Sequence, residues 1–310
     1  QDVLLGHTDE VWSVDFSKDG GKLLSSGKDK RILVWSPAAA AFRSEKRLEI
    51  SGATMPFSWS ESPDGASLVA VEHGRVVLHG NAELTVPVEL GGNNRRAFWL
   101  EPRRILIAGR NPAELKLWDL NGNTIERYPL GLDHGLVEAE HLPAAGMLVV
   151  SGRDAAVGAG FTMVRWDIAG RRVLSTYSPA HGNLRSGAQN SIWSVSQDGK
   201  RMAIHSETTV EVHDLEQGLH LATLAVTNRV GMQGMALSPD GRELVVAARD
   251  RPSIMVLDVD SGELKRELSG HNLVISRLQY SVDGTRLLSS TIGTEPIKLW
   301  DTRIWKPVCR

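Results

Sequence analysis

The chain has 310 residues, of which 41 % are hydrophobic and 23 % are charged, and its formal net charge is −2. This balance argues against binding to nucleic acid or to an anionic membrane over the whole surface, so we expect neither as a partner. The single cysteine, Cys309, excludes an internal disulfide and a cysteine-based metal cluster. A basic leader with an apolar core is also absent from the first residues, and a cytoplasmic location is the expectation.

The first 36 residues predict a set of short strands. Val14 and Phe16 alternate with polar residues, which is typical of a half-buried strand. Asp19-Gly20 then predicts a tight turn, because glycine takes the positive φ of a hairpin turn without steric cost. A second apolar run starts at Leu23, and a third ends at Trp35. With a polar strand expected near 47–50, this stretch predicts a four-stranded antiparallel sheet.

The rest of the chain repeats this unit, which predicts a repeat architecture. Asp-Gly pairs recur at 19–20, 64–65, 198–199, 240–241 and 283–284. A second series, spaced by roughly 45 residues, marks the ends of the expected third strands. Its members are Trp35, His79, Trp118, Trp166, His213, Leu257 and Trp300. Seven units therefore fill the chain.

The order Gly-His, Asp-Gly, Asp and Trp-Asp within a unit resembles the WD-repeat family. The dipeptide is intact at Trp118-Asp119, Trp166-Asp167 and Trp300-Asp301 and degenerate in the other units. The resemblance implies an all-β fold, a seven-bladed β-propeller of four-stranded antiparallel blades. We expect a single propeller domain over 1–310, excised from a longer protein. The N-terminal strand Val3-Leu4-Leu5 is expected to join the last blade and close the ring, with Lys306-Pro307-Val308-Cys309 as the alternative.

The resemblance also implies a structural hydrogen-bond network in the first unit, formed by His7, Ser25, Asp29 and Trp35. In such a network the carboxylate accepts from the imidazole, the imidazole reaches the hydroxyl, and the hydroxyl accepts from the indole. A buried indole or imidazole needs partners of this kind. The same residue types would allow a Ser-His-Asp hydrolytic triad, but a serine in mid-strand beside an indole does not face a substrate. In the seventh unit Gly293 or Thr294 stands where the Asp is expected, which predicts an incomplete network.

Basic residues define the first candidate binding site. The position before the network Asp, or its counterpart, is basic in four units: Lys28, Arg110, Arg153 and Arg249. Arg95, Arg96, Lys30 and Arg251 add to this set. Cations converging on one loop face predict a protein or peptide partner that is acidic or phosphorylated. The alternative is that these side chains lie in solvated turns and pair with nearby acids.

Two tryptophans extend this hypothesis. The segments VWSV and IWSV place Trp12 and Trp193 at the same position of their units, near the expected channel mouth. Exposed Trp beside Arg is the usual composition of an interaction hot spot. The alternative is that both rings pack between blades as part of the core.

A different class of function is considered for the segment DHGLVEAEH, which contains Asp133, His134, Glu138, Glu140 and His141. Some enzymatic propellers hold a metal in the channel and hydrolyse lactones or esters. Such a site draws ligands from several blades, and Asn94 and Asn190 are the nearest candidates elsewhere. Solvated loop residues are the preferred interpretation, so we expect no metal, no cofactor and no enzymatic activity.

The sequence thus predicts a non-catalytic interaction or scaffold module in a larger signalling protein. An excess of Arg (25) over Lys (10) favours a GC-rich bacterial genome. The alternatives are a metal-dependent hydrolase of the lactonase or esterase type and a purely structural propeller in an assembly. The oligomeric state is not predicted.

Overall fold

A computed structural model of the chain describes residues 3–17, 21–38, 41–49, 58–72, 74–80, 93–121, 124–132, 135–154, 160–179, 193–206, 209–226, 234–247, 251–291 and 293–307. These residues form seven antiparallel sheets, one for each repeat. Among them the sole helical element is the 3₁₀ turn Pro143–Ala145. The predicted all-β, seven-bladed arrangement is confirmed.

The chain divides into two compact units, and the first comprises residues 1–52, 143–145 and 184–310. It contains blades 1, 5, 6 and 7. The strands of blade 1 are Val11–Phe16, Leu23–Gly27, Arg31–Ala38 and Ala41–Glu49. Those of blade 5 are Trp193–Val195, Arg201–Ser206, Thr209–Asp214 and Leu219–Ala225. Blade 6 has Gly234–Leu237, Glu243–Ala247, Ser253–Asp258 and Leu264–Ser269, and blade 7 has Ile275–Tyr280, Arg286–Thr291 and Ile297–Asp301.

The second unit comprises residues 53–142 and 146–183 and contains blades 2, 3 and 4. Blade 2 has the strands Ser58–Glu61, Leu68–Glu72 and Arg75–His79, and residues 81–92 after it lie outside the described part. Blade 3 has Asn94–Glu101, Arg104–Gly109, Glu114–Asp119 and Thr124–Pro129. Blade 4 has Leu136–Leu142, Met147–Asp154, Gly160–Asp167 and Arg172–Tyr177.

One register is common to all seven blades. Each residue of the repeat series that begins with Trp35 lies near the end of a third strand and pairs with an apolar residue near the start of the second strand. The pairs are Leu23 with Trp35, Leu68 with His79, Ile105 with Trp118, Leu148 with Trp166, Met202 with His213, Leu244 with Leu257 and Leu287 with Trp300. The series therefore marks equivalent positions.

Both terminal segments pair with the third strand of blade 7. Val3 and Leu4 pair with Lys298 and Ile297. Further along the same strand, Lys306 and Pro307 pair with Asp301 and Trp300. The two segments are therefore not alternatives, because each supplies a short strand to a different stretch of that edge.

The described Asp-Gly turns are wider than a two-residue turn, and a serine before each turn closes it with hydrogen bonds. In blade 5 the Ser196 hydroxyl donates to Asp198 at 2.6 Å and accepts from the Arg201 amide at 2.9 Å. Gly199 has a φ of 69° and donates its amide to the Ser196 carbonyl at 2.8 Å. Ser62, Ser238 and Ser281 repeat these contacts in blades 2, 6 and 7. Asp19-Gly20 lies outside the described residues.

The core lies between consecutive blades within each unit. In the second unit, Leu148, Val150 and Trp166 of blade 4 pack with Leu106 and Leu115 of blade 3, all fully buried. Burial of apolar surface at roughly 25 cal/mol per Å² makes these contacts the main source of stability. Within the described ranges, no helix has the length and hydrophobicity needed to cross a membrane.

Candidate protein-interaction surface

A β-bulge positions the arginines at the start of blade 3. Arg96 pairs with Ala108 and Asn94 with Gly109, so Arg95 is the extra residue between them. Blade 4 has a shift at the same place, where Glu138 pairs with Ser151 and Leu136 with Gly152. A bulge bends the strand and redirects the side chains around it. Arg96 and Glu138 thus hold equivalent positions just after the two bulges.

These two residues form an ion pair, in which the Arg96 Nε donates to Glu138 Oε1. The Arg96 side chain is 21 % exposed and that of Glu138 is 36 % exposed, so solvent reaches the pair. Arg95 interacts electrostatically with Glu138, Arg96 and Arg110. We call Arg95, Arg96 and Arg110 the arginine cluster.

Backbone hydrogen bonds hold Arg110 in place. Its amide donates to the Asn93 carbonyl at 2.6 Å, and its carbonyl accepts from the Leu136 amide at 2.9 Å. The Arg110 residue itself is exposed. Gly135 packs against it with a φ of 87°, and a Cβ at this position would lie 2.6 Å from the Arg110 carbonyl oxygen. The fold therefore fixes the backbone of this arginine and leaves its side chain to solvent.

The electrostatics of the cluster follow from three guanidiniums and one carboxylate. Partial burial lowers the pKa of Arg95, Glu138 acts in the opposite direction, and Arg110 and Arg96 lower it further. The Arg95 Nε is buried without a hydrogen-bond partner among the described residues. Burial acts to raise the pKa of Glu138, but Arg96 and Arg95 outweigh it and the net shift is downward. Glu138 is therefore ionised at neutral pH, and these four groups carry a net charge of +2.

A buried polar network beneath the cluster was not predicted from the sequence. The Lys116 Nζ donates to Asn94 Oδ1 at 3.2 Å and lies 3.6 Å from Glu114. Asn94 Nδ2 donates to the Gly74 carbonyl at 2.9 Å, and Arg127 donates to Glu114 at 2.8 Å. Burial lowers the pKa of Lys116, with Glu114 opposing that shift. Lys116 and Glu114 are 5 % and 9 % exposed, so this network places charged groups in the interior of blade 3.

The remaining basic residues of the hypothesis do not all behave alike. In the first unit, the Lys28 Nζ lies 3.9 Å from Glu10, and Arg251 Nε lies 3.3 Å from Glu267. These two match the alternative in which turn cations pair with nearby acids. Lys30 is exposed and has a φ of 61°. Arg249 and the side chain of Arg153 lie outside the described part of the chain.

The two tryptophans do not occupy equivalent positions. Trp193 pairs with Ile204, two residues after Met202, and in blade 1 the residue at that register is Val14, which pairs with Ser25. Trp12 is therefore two residues out of register with Trp193. Trp12 is the extra residue of a bulge between Val11 and Ser13, so the similarity of VWSV and IWSV does not mark equivalent positions.

The surroundings of Trp193 fit partial burial. This residue is half-buried, and its Nε1 is buried without a described hydrogen-bond partner. Trp59, at the equivalent register in blade 2, is 7 % exposed and belongs to the interior. The side chain of Trp12 is outside the described part.

The segment considered for metal binding is used differently. Glu138 pairs with Arg96, and the His141 ring packs 5.6 Å from the ring of Phe98. Asp133, His134 and Asn190 lie outside the described residues. In the ranges that the structure describes, no three His, Cys, Asp or Glu side chains come close enough to bind a metal ion. The hydrolase alternative therefore has no support from these contacts.

In blade 1 the expected hydrogen bonds among the four network residues are present. His7 Nδ1 lies 3.0 Å from both Asp29 oxygens, and His7 Nε2 lies 2.8 Å from Ser25 Oγ. The Trp35 indole donates to the same hydroxyl at 2.8 Å. Because an ionised carboxylate only accepts, the proton of the neutral imidazole is on Nδ1, and Nε2 accepts from the serine. Ser25 is fully buried, which is incompatible with a nucleophile that meets a substrate.

Blade 7 keeps the histidine, serine and tryptophan of this network, but His271 Nδ1 has no hydrogen-bond partner among the described residues, so the network is incomplete at the position of the missing Asp. His271 Nε2 lies 2.7 Å from Ser289 Oγ, and the Trp300 indole donates to this hydroxyl at 2.9 Å. Glu295 takes the place of the Asp. It lies 3.3 Å from His271 Nδ1, outside hydrogen-bond geometry, and accepts the amides of Asn272 and Leu273 at 3.0 Å. The longer side chain reaches the site from a different sequence position.

The Gly-His dipeptide has a packing reason in these blades. A Cβ on Gly6 would lie 2.8 Å from the Trp35 ring, so glycine lets the chain pass this close to the indole. Gly270 contacts the Trp300 ring at an ordinary distance but has a φ of 151°, which favours glycine. The Gly-His dipeptide therefore has a structural role.

Comparisons with known proteins agree with this fold. The family model described as WD domain, G-beta repeat, matches residues 1–36. Over 96 % of its length the chain is 20 % identical to a WD repeat-containing protein WDS homolog of Arabidopsis thaliana, covering 56 % of that protein. It is 21 % identical to a 77 kDa echinoderm microtubule-associated protein of Lytechinus variegatus over 99 % of the chain and 38 % of the relative. The match to apoptotic protease-activating factor 1 of Danio rerio has 25 % identity over 97 % of the chain and 24 % of the relative.

The chain thus spans about half, or less, of the length of these relatives. The seven blades in one register, the networks of blades 1 and 7, and these matches lead to one conclusion: the chain is similar to WD-repeat β-propeller proteins.

Proposed function

We propose that the chain is a non-catalytic protein-interaction or scaffold module whose arginine cluster binds an acidic or phosphorylated segment of a partner protein. The observation that carries this proposal is the grouping of three guanidiniums, in which Arg96 pairs with Glu138 and Arg95 interacts with Glu138, Arg96 and Arg110. A planar guanidinium matches two oxygens of a carboxylate or phosphate at once, which gives strong, directional hydrogen bonds.

Pre-organisation supports the same proposal. The backbone of Arg110 is held on both sides by hydrogen bonds to Asn93 and Leu136, so ligand binding does not have to order it. The guanidinium of Arg95 is partly buried and has already lost part of its hydration. Its attraction to an anion that contacts it is therefore stronger than in bulk water. Both features lower the free-energy cost of binding.

The finer parts of the proposal concern the host protein. We propose a larger bacterial signalling protein in the cytoplasm, and a single propeller domain over residues 1–310. The greater length of the relatives supports a larger host, and the predominance of Arg over Lys supports a bacterial one. Neither nucleic acid nor a membrane is proposed as a partner.

The test measures binding of three nine-residue peptide pools, whose fixed central residue is phosphoserine, Glu or Ser, to the immobilised chain. We expect the phosphoserine and Glu pools to bind and the Ser pool not to bind, with affinity falling as salt rises. Arg110→Gln removes a charge-assisted hydrogen bond and is expected to weaken binding by about tenfold.

Arg103→Gln is the matched control. Arg103 is exposed in the turn between the first and second strands of blade 3. Arg110 follows the other end of the second strand. Equal losses in both variants, or equal binding of all three pools, would contradict the proposal and leave a purely structural propeller as the better interpretation.

A further inference from the structure

We propose that Glu138 is a built-in competitor of the anionic ligand: it occupies Arg96 in the free protein and thereby sets how strongly, and how selectively for doubly charged groups, the arginine cluster binds. The inference rests on the proposed function, since it concerns regulation of that same surface.

The geometry supports competition because Glu138 presents the same chemistry as the expected ligand. Its carboxylate accepts from Arg96 Nε, and one of its oxygens also accepts the Ala139 amide at 3.1 Å. Arg95 interacts with this carboxylate as well. A ligand oxygen that approaches Arg96 therefore meets a guanidinium that already has an anionic partner.

Solvent exposure of the Arg96–Glu138 ion pair allows a ligand anion to replace Glu138 beside Arg96. With side chains 21 % and 36 % exposed, Arg96 and Glu138 are reached by solvent and are not sealed in the core. An incoming anion therefore reaches the pair from solvent and competes with Glu138 for Arg96. Lys116 and Glu114 in the network below are about nine-tenths buried and have no such access.

Charge arithmetic gives a quantitative consequence. Neutralising Glu138 changes the electrostatic potential at the ligand by one fixed amount, and the gain in binding scales with the charge of the ligand. Glu138→Gln is therefore expected to strengthen the Glu pool by about threefold and the phosphoserine pool, at −2, by about tenfold. In logarithmic terms the second gain is about twice the first.

The experiment compares Glu138→Gln with Arg96→Gln at pH 8, where the phosphate is fully ionised. Both variants break the same ion pair. If Glu138 competes, Glu138→Gln strengthens binding of both pools and Arg96→Gln weakens it, whereas a merely structural pair predicts losses in both. Thermal unfolding checks that each variant is folded.

Glu126→Gln is the matched control. Glu126 pairs with Arg171 at 2.6 Å on the fourth strand of blade 3, with 48 % exposure, so this variant removes the same charge from another surface pair of the unit. It is expected to leave binding unchanged. A gain equal to that of Glu138→Gln would overturn the inference, because net charge alone would then explain it.

The two proposals fail in different ways. Absence of any binding that depends on Arg110 refutes the proposed function. Binding that depends on Arg110 but is weakened or unchanged in Glu138→Gln refutes the competitor role alone.

Discussion

Replacing Ser289 by alanine tests the energetic role assigned to the network of blade 7. The Ser289 hydroxyl accepts from the Trp300 indole at 2.9 Å and lies 2.7 Å from His271 Nε2. Trp300 is 2 % exposed and His271 is 5 % exposed, so water does not replace the lost hydroxyl. Each buried polar group left without a partner costs about 1–3 kcal/mol. Ser289→Ala is therefore expected to lower the free energy of unfolding by about 3 kcal/mol, the sum of two such penalties.

Urea denaturation at pH 7 measures this change, with amide hydrogen exchange over 286–291 as a local measure of blade 7. Ser261→Ala is the control, since the Ser261 hydroxyl contacts Asp258 at 3.1 Å in an exposed turn. We expect the control to change stability by less than about 0.5 kcal/mol. Equal effects of the two substitutions would refute the reasoning that the network is what holds His271 and Trp300.

Three further predictions concern other parts of the fold. Burial lowers the pKa of His271 to about 4, so between pH 6.5 and 4 the unfolded chain takes up a proton that the folded chain does not. Stability should therefore fall by up to about 3 kcal/mol as the pH drops through that window, and unfolding of His271→Gln should lack this component. Gly135→Ala places a Cβ 2.6 Å from the Arg110 carbonyl oxygen and should weaken phosphoserine-pool binding in a direct titration without removing a charge. Unchanged affinity would show that the backbone position of Arg110 is unimportant. The Ser60 hydroxyl accepts the Trp99 amide of the next blade at 3.1 Å, so Ser60→Ala should cost about 1–3 kcal/mol in urea denaturation. Ser261→Ala again serves as the control.

The repeat could be predicted because a few positions in a blade accept only a few residue types. The indole rings of Trp35 and Trp300 each need a hydroxyl for the ring N–H, and Trp35 also needs a glycine beside it. Such requirements leave a spaced pattern in the sequence. The same pattern correctly aligned blades with His79, His213 or Leu257 at the Trp position, since those residues fill the same register.

Glu295 was not predicted. Its side chain is longer than that of Asp, so its carboxylate reaches the site from a different sequence position. Asp29 stands six residues before Trp35, whereas Glu295 stands five before Trp300. Its additional methylene extends the carboxylate to the amides of Asn272 and Leu273. A search for an Asp at a constant offset therefore misses it.

The arginine cluster was only partly predictable. The sequence placed Arg95, Arg96 and Arg110 within a larger set of eight basic residues, and the partner of Arg96 lies 42 residues away, one repeat further on. Recognising Glu138 as that partner requires the register of two strands and the bulge in each, which composition does not reveal. For the same reason the tryptophans of VWSV and IWSV were aligned two residues out of register.

The most direct test of the central claim locates the ligand on the surface. A photo-reactive amino acid is placed at Asn111, beside Arg110, or at Asn121, an exposed position beyond the third strand of the same blade. Each protein is irradiated with the phosphoserine pool, and the cross-linked product is measured. The account predicts cross-linking from position 111 that is lost in Arg110→Gln, and none from position 121. Equal yields at both positions, or a yield at 111 that persists in Arg110→Gln, would contradict it.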